Sequence, residues 1–401
     1  MSTRWIFVAL LLAAPPLAAQ NPPRRAFVTS VQGSGNLSTW TDAGGQSGVA
    51  GADAVCRSRA RAAGLANADA FVAWVSDSND DAYCRVHGLH GKRSANCGLA
   101  QLPATAGPWQ RGDGRLIADS LADQLGGRLF HPINRDEFGR PLPFTGYMQS
   151  VATGTGANGA HSSGYDCAGW SASSGATMSI GGADSTTGDW SGGGAVSCTV
   201  PARLYCLEPG SGNAAAATPR EFGKREAFVT DGGGPGNFAW PEAQGLTGID
   251  AADRICRTRA AAAGLHRPDS FKALLADGAT PAFARFSQTD LPWVRRDGVR
   301  IADNLAALQA GATYTPINVS ETGAYLANIG VWTGIAADGS AALEQCTGWN
   351  DATAQGRATT ANIAGPLWLR AAGTYACTTR YALYCLSDAD TLFHAGFEAL
   401  P

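Results

Sequence analysis

The 401-residue chain carries one ordered set of short motifs twice, so whatever it folds into, it must fold into twice. Ala26-Phe27-Val28-Thr29 returns as Ala227-Phe228-Val229-Thr230. Cys56-Arg57-Ser58-Arg59, ending in Ala63-Gly64-Leu65, returns as Cys256-Arg257-Thr258-Arg259, ending in Ala263-Gly264-Leu265. Ile117-Ala118-Asp119 and Pro132-Ile133-Asn134 return as Ile301-Ala302-Asp303 and Pro316-Ile317-Asn318. Leu204-Tyr205-Cys206-Leu207 closes the first copy and Leu383-Tyr384-Cys385-Leu386 the second. Each copy spans about 165–185 residues, enough to bury a core of its own. A residue kept in both copies serves the fold or a shared site; a residue in one copy alone does neither for the other.

The first residues have the pattern of a secretory signal. Arg4 gives a positive start, residues 5–14 are apolar but too few to span a bilayer, and Ala18-Ala19 precede Gln20 as a cleavage site. No cysteine follows the apolar run, so no lipid anchor is expected, and no later segment is apolar enough to span a membrane. Ten cysteines in an exported chain imply five disulfides. The expected location is secreted, periplasmic or outer-surface. A net charge of −3 gives no footprint for nucleic acid.

The pattern divides the chain into a signal (1–19), a first domain (25–208), a Gly/Ala/Pro-rich linker (209–223), a second domain (224–387) and a tail (388–401). As a flexible coil the linker would reach roughly 20 Å. Within each copy a short strand opens at residues 26–30 or 227–230. A helix follows at 50–63 or 249–263, with Gly64 or Gly264 as its C-terminal cap. Residues 71–75 and 271–275 suit strands or buried segments, and a second short helix fits 117–125 and 301–308. Short strands are expected at Phe144-Thr145-Gly146, Val331-Trp332-Thr333-Gly334 and the closing motifs. The class is α+β, with two helices, short mixed strands and long loops per domain.

Four cysteines match between the copies: Cys56, Cys167, Cys198, Cys206 and Cys256, Cys346, Cys377, Cys385. Four cysteines allow three connectivities, and spacing alone leaves all three open. The order of features is more telling. A cysteine helix ending Ala-x-Gly-Leu precedes Phe71-Val72-Ala73-Trp74-Val75-Ser76, and Trp332-Thr333-Gly334 precedes Cys346-Thr347-Gly348-Trp349. This order resembles the C-type-lectin-like fold in its endostatin-type branch. Each repeat is also similar to an uncharacterised bacterial family of secreted and surface proteins that includes some leptospiral outer-surface lipoproteins. The resemblance covers nearly all of 25–208 and 224–387 and implies two tandem disulfide-stapled domains. It also implies first-to-last and second-to-third pairing: Cys56–Cys206, Cys167–Cys198, Cys256–Cys385 and Cys346–Cys377.

Cys84 and Cys97 belong to an insertion in the first copy, with His87 and His90 between them. A local disulfide and a tetrahedral zinc site both fit that spacing; in an exported chain the disulfide is the expectation. None of the six histidines has a matched counterpart; His131, for example, aligns with Thr315. No nucleophile–base arrangement, phosphate loop or metalloprotease motif is present. Endostatin's N-terminal zinc histidines have no equivalent here. Trp349-Asn350-Asp351 spells one calcium triplet of sugar-binding C-type lectins, but in the wrong place and without its companion triplet.

The remaining binding candidates are Asn134 and Glu137, matched by Asn318 and Glu321, and the paired Trp170 and Trp349. The first four offer oxygen ligands beside a glycine turn, suited to calcium or to holding the turn's own amides. The tryptophans suit a stacking surface or a core. The expectation is an exported, non-enzymatic binding protein for an extracellular protein or glycan, with no cofactor other than an optional calcium. The alternatives are an enzyme with a site in the first insertion and a structural envelope component. Asp390 to Glu398 resembles a short C-terminal tag of exported proteobacterial proteins.

Overall fold

The computed structural model describes residues 24–142, 150–212, 221, 225–288, 290–336, 338–369 and 373–388. The signal, the expected strand at 144–146 and the C-terminal tag lie outside these residues. The described protein is a mixed α+β structure with several sheets, few helices and five disulfides.

Each repeat is organised around an antiparallel pair formed by its first and last strands. Arg24–Val28 pairs with Tyr205–Leu207, setting Phe27 opposite Cys206. Arg225–Val229 pairs with Ala382–Ser387, setting Phe228 opposite Cys385. Side chains alternate across a strand, and both faces of this pair are covered. Ala26, Val28, Tyr205 and Leu207 enter a core with Trp109, Ile133 and Trp190. Phe27 and Cys206 enter a second core with Val55, Cys56 and Ala60 of the helix Gly48–Ala62. The second repeat divides the same way: Ala227 and Val229 face Trp293 and Trp368, and Phe228 faces the helix Gly248–Ala262.

The sheet of the second repeat runs Arg300–Ala302, Trp293–Arg295, Arg225–Val229, Ala382–Ser387, Gly330–Trp332, Gln355–Thr360 and Gly373–Ala376, with Phe271–Ala273 also on Ala382–Ser387. In the first repeat the same order, without a strand matching Arg300–Ala302, is split into a four-stranded and a three-stranded sheet, joined by a parallel bridge between Val151 and Arg203.

The long helices end as the glycines foretold. Gly64 and Gly264 both sit at φ +66°, where a side chain would strain the backbone. Leu65 N–H donates to the Ala60 carbonyl at 3.0 Å and Leu265 N–H to Ala260 at 2.9 Å, the six-to-one bond of a Schellman cap. The second helix starts later than the apolar pattern suggested, at Leu121–Leu125 and Leu305–Gln309. Ser120 and Asn304 set the start: their side chains accept the N–H of Asp123 and Ala307. Upstream, Ile301 belongs to the strand Arg300–Ala302 and Ile117 donates to the Trp109 carbonyl, so the apolar residues there are buried from extended backbone.

The Cys-x-Gly-Trp motifs form one turn of left-handed helix. Cys167, Ala168, Gly169 and Trp170 have φ of 50, 54, 68 and 64°, and Cys346, Thr347, Gly348 and Trp349 have 50, 52, 63 and 63°. Only glycine adopts this region without steric cost. The disulfide at one end and the buried tryptophan at the other hold the rest there. Thr347 is exposed and β-branched, so Thr347→Gly should stabilise the protein by about 1 kcal/mol, and Ala168→Gly by slightly less. Urea unfolding of each variant checks this; a loss of stability would mean the side chains make contacts worth more than the strain.

The repeats also touch. Ser185 and Ile363, matched positions in the two copies, form an antiparallel bridge. The guanidinium of Arg115 lies 3.6 Å from the Tyr314 ring centroid. Its counterpart Val299 packs with Phe130, the counterpart of Tyr314. The contact is thus arranged about an approximate two-fold axis, as in an isologous dimer. Both ends of the stretch read as linker are fastened: Gly212 N–H donates to Gly107 at 2.9 Å, and Glu221 N–H donates to Gly298 at 2.7 Å. Asp388, read as the first tail residue, accepts from Lys272 at 2.8 Å. No helix among the described residues is long and apolar enough to cross a membrane.

Candidate functional site

The expected oxygen-ligand residues are engaged inside the protein. Asn134 accepts from Arg111 at 2.8 Å and donates to Asp184 at 3.0 Å; Asn318 accepts from Arg295 at 2.8 Å. The Glu137 side chain is fully buried and accepts from Arg59 Nε at 2.7 Å and from the Ser30 amide at 2.9 Å. Glu321 repeats this with Arg259 at 3.0 Å and the Asp231 amide at 2.9 Å. Each glutamate therefore ties the end of the opening strand to the long helix. Asp136 and Ser320 close the intervening turn by accepting amides two and four residues on. Beside Glu137 lies a cavity of about 340 Å³, with Phe138 at its rim under the guanidinium of Arg140.

Trp170 and Trp349 are wholly buried, and their indole N–H groups donate to Ser76 and Ala276 carbonyls at 2.9 and 2.7 Å. All ten tryptophans of the described residues are buried, so none offers a stacking face to solvent. The matched cysteines pair first to last and second to third in both copies, and Cys84 pairs with Cys97. His87 Nδ1 lies 2.8 Å from the Tyr83 carbonyl, and His90 Nδ1 lies 3.0 Å from Asp80. Burial lowers the His87 imidazole pKa, disfavouring its charged form against the Tyr83 carbonyl, which favours it. Among the described residues no three His, Cys, Asp or Glu side chains converge as metal ligands.

Two buried arginines were not singled out by sequence reasoning; only the Asp113-Gly114 and Asp297-Gly298 turns beside them were. Arg111 and Arg295 are fully buried, each forked onto the aspartate two residues on, with Arg111 Nη2 to Asp113 at 2.6 Å and Arg295 Nη2 to Asp297 at 2.7 Å. Burial, with smaller contributions from Arg135 and Arg115, lowers the Arg111 pKa to about 10 against the pull of Asp113. Arg295 suffers the same burial, yet Asp297 and Tyr325 raise it; Val319 and Val299 stand where those two arginines stand in the first copy. A second duplicated pair joins Asp53 to Arg85 and Asp253 to Arg285, and each aspartate also accepts the amide of Ala73 or Ala273 at 2.9 Å. The sequence marks the Arg111–Asp113 and Arg295–Asp297 pairs by a Trp-x-Arg-x-Asp-Gly string at 109–114 and 293–298.

The copies also differ in the loop ahead of the left-handed turn. Its backbone is closed identically in both. Gly156 N–H donates to Ala160, Gly159 to Gly156 and Ser162 to Gly154; Ala336 donates to Ser340, Gly339 to Ala336 and Ala342 to Gly334, all at 2.8–3.0 Å. The side chains on this shared frame do not match. The first loop bears Asn158, His161, whose Nε2 lies 3.0 Å from Asp166, and Tyr165, 44% exposed. The second bears Asp338, Glu344 and Leu343, which is 98% exposed. Compared with known protein families and with curated proteins, the chain matches no family model and no curated protein.

Proposed function

We propose that the protein is an exported, non-enzymatic binding protein built from two tandem C-type-lectin-like domains of the endostatin type, which recognise an extracellular protein or glycan through the loops at 154–166 and 334–345. One observation carries this reading: two loops with the same backbone bonding and different exposed side chains. A constant frame with variable tips is the economy of a recognition surface. The domain assignment draws support from the first-to-last and second-to-third disulfides and from the pairing of opening and closing strands. Five disulfides fit an oxidising compartment.

The test is an array of glycans and extracellular-matrix proteins probed with the full chain, followed by titration of the best ligand. Leu343→Asp should weaken that ligand about tenfold or more if the second loop holds it, and Tyr165→Ser should do so if the first does. Unchanged affinity in both variants would remove the loops as the recognition surface.

A further inference from the structure

Where the repeats meet, they enclose a cleft of about 310 Å³. Pro141 and Leu142 of the first repeat form one wall, and Ala307, Ala310, Ala312 and Pro366 of the second form the other. An apolar cavity of about 150 Å³ accommodates benzene, so this space suits a body of roughly twice that bulk.

Three charged residues line it, and two are already satisfied. Asp303 takes Arg300 on one oxygen at 2.7 Å and the Tyr314 hydroxyl on the other at 2.6 Å. Arg135 lies against Asn134 Oδ1 at 3.2 Å and Asp113 Oδ2 at 3.6 Å. Asp184 differs. Its Oδ1 accepts from Asn134 at 3.0 Å, and among the described residues its carboxylate forms no ion pair and receives no second hydrogen bond. The side chain is deeply enclosed yet keeps part of its surface open toward the cleft.

The second repeat has no equivalent. The strands Thr177–Gly182 and Gln355–Thr360 correspond, which places Asn362 where Asp184 stands; Asn362 donates to Asp189 at 3.0 Å, and Val319 replaces Arg135. The feature belongs to one side of an otherwise two-fold contact, so the shared fold does not require it.

We propose that this cleft binds a small organic cation, an ammonium group on an apolar body, with Asp184 as its counter-ion. The walls bury the body, and the ammonium supplies the charge and donors that the carboxylate lacks. The site is separate from the recognition loops, and its test does not depend on them. Burial raises the Asp184 pKa to about 6, opposed by Asn134, Arg135 and Arg111. Tyr205 stands near it from the closing strand and Asp303 lines the cleft from the other repeat. Binding therefore weakens as pH falls through about 6, where the carboxylate takes its proton and the ammonium keeps its charge.

The probes are phenethylamine, 2-phenylethanol and phenylacetate, titrated calorimetrically into the full chain at pH 7.5. The amine should saturate one site at least tenfold more tightly than the alcohol, and phenylacetate should not bind. Asp184→Asn should reduce the amine to the alcohol's affinity while keeping the wild-type melting temperature. If that variant melts early, Ala310→Trp decides, because it obstructs an exposed position of the wall and leaves Asp184 in place; it should weaken the amine at least tenfold. Equal affinity for amine and alcohol, or amine binding unchanged in a folded Asp184→Asn or in Ala310→Trp, overturns the proposal.

Discussion

Replacing Cys256 and Cys385 together by alanine will lower the unfolding free energy by about 5 kcal/mol, because that bond closes a loop of 129 residues in the unfolded chain. The same change at Cys346 and Cys377, 31 residues apart, should cost about 4 kcal/mol. At Cys84 and Cys97, 13 apart, it should cost about 3 kcal/mol. That figure is set by loop length alone; the pair is nonetheless built into the fold, with Cys84 fully buried and Cys97 nearly so within the core of Trp74, Val86 and Trp109. Urea titration of the three double variants checks the ranking, and equal losses would contradict the loop-closure account.

Asp297→Asn will cost about 3–5 kcal/mol, although it replaces an atom by one of equal size. It leaves the Arg295 guanidinium, wholly out of water, without its counter-charge. Tyr325 and Asn318 remain as neighbours but carry no full negative charge. Arg295, with Tyr325 and the Val299 amide, holds the Asp297 carboxyl below its ordinary value despite burial, which pushes the other way. A carboxylate depressed in the folded state contributes its full stability above the unfolded pKa of about 3.9 and loses it as pH falls through the lower folded value. Wild type and variant should therefore differ most at neutral pH and converge as the pH falls through that lower folded value. Thermal melts across that range test it; a constant difference would assign the loss to packing.

The parts of this fold that were legible in the sequence are those with short-range causes. Gly64 and Gly264 announced the helix ends because a left-handed residue there has few substitutes. The cysteine pairing followed from order, once the resemblance supplied the scheme. The second helix was placed too early because Ile117 and Ile301 extend its apolar pattern, and the caps Ser120 and Asn304 outweigh that pattern. The left-handed turns escaped notice because only Gly169 and Gly348 hint at them, while Ala168 and Thr347 argue against them. Glu137 and Asp184 could not be placed at all. The partner of the first, Arg59, is 78 residues away, and the cleft that makes the second unusual exists only once the repeats are packed.

The pairing of the first strand of each repeat with its last also fixes a timetable. Cys56 emerges from synthesis before Cys84, Cys97, Cys167 and Cys198, none of which is its partner; Cys206 follows 150 residues later. The nearby pairs, 13 and 31 residues apart, can close while the central strand pair still lacks its second member. Oxidation should thus proceed from local bonds to the long one, and an early wrong bond at Cys56 must be undone by thiol exchange. The second repeat, which has no counterpart of Cys84 and Cys97, leaves Cys256 fewer wrong choices and should mature with fewer mispaired forms.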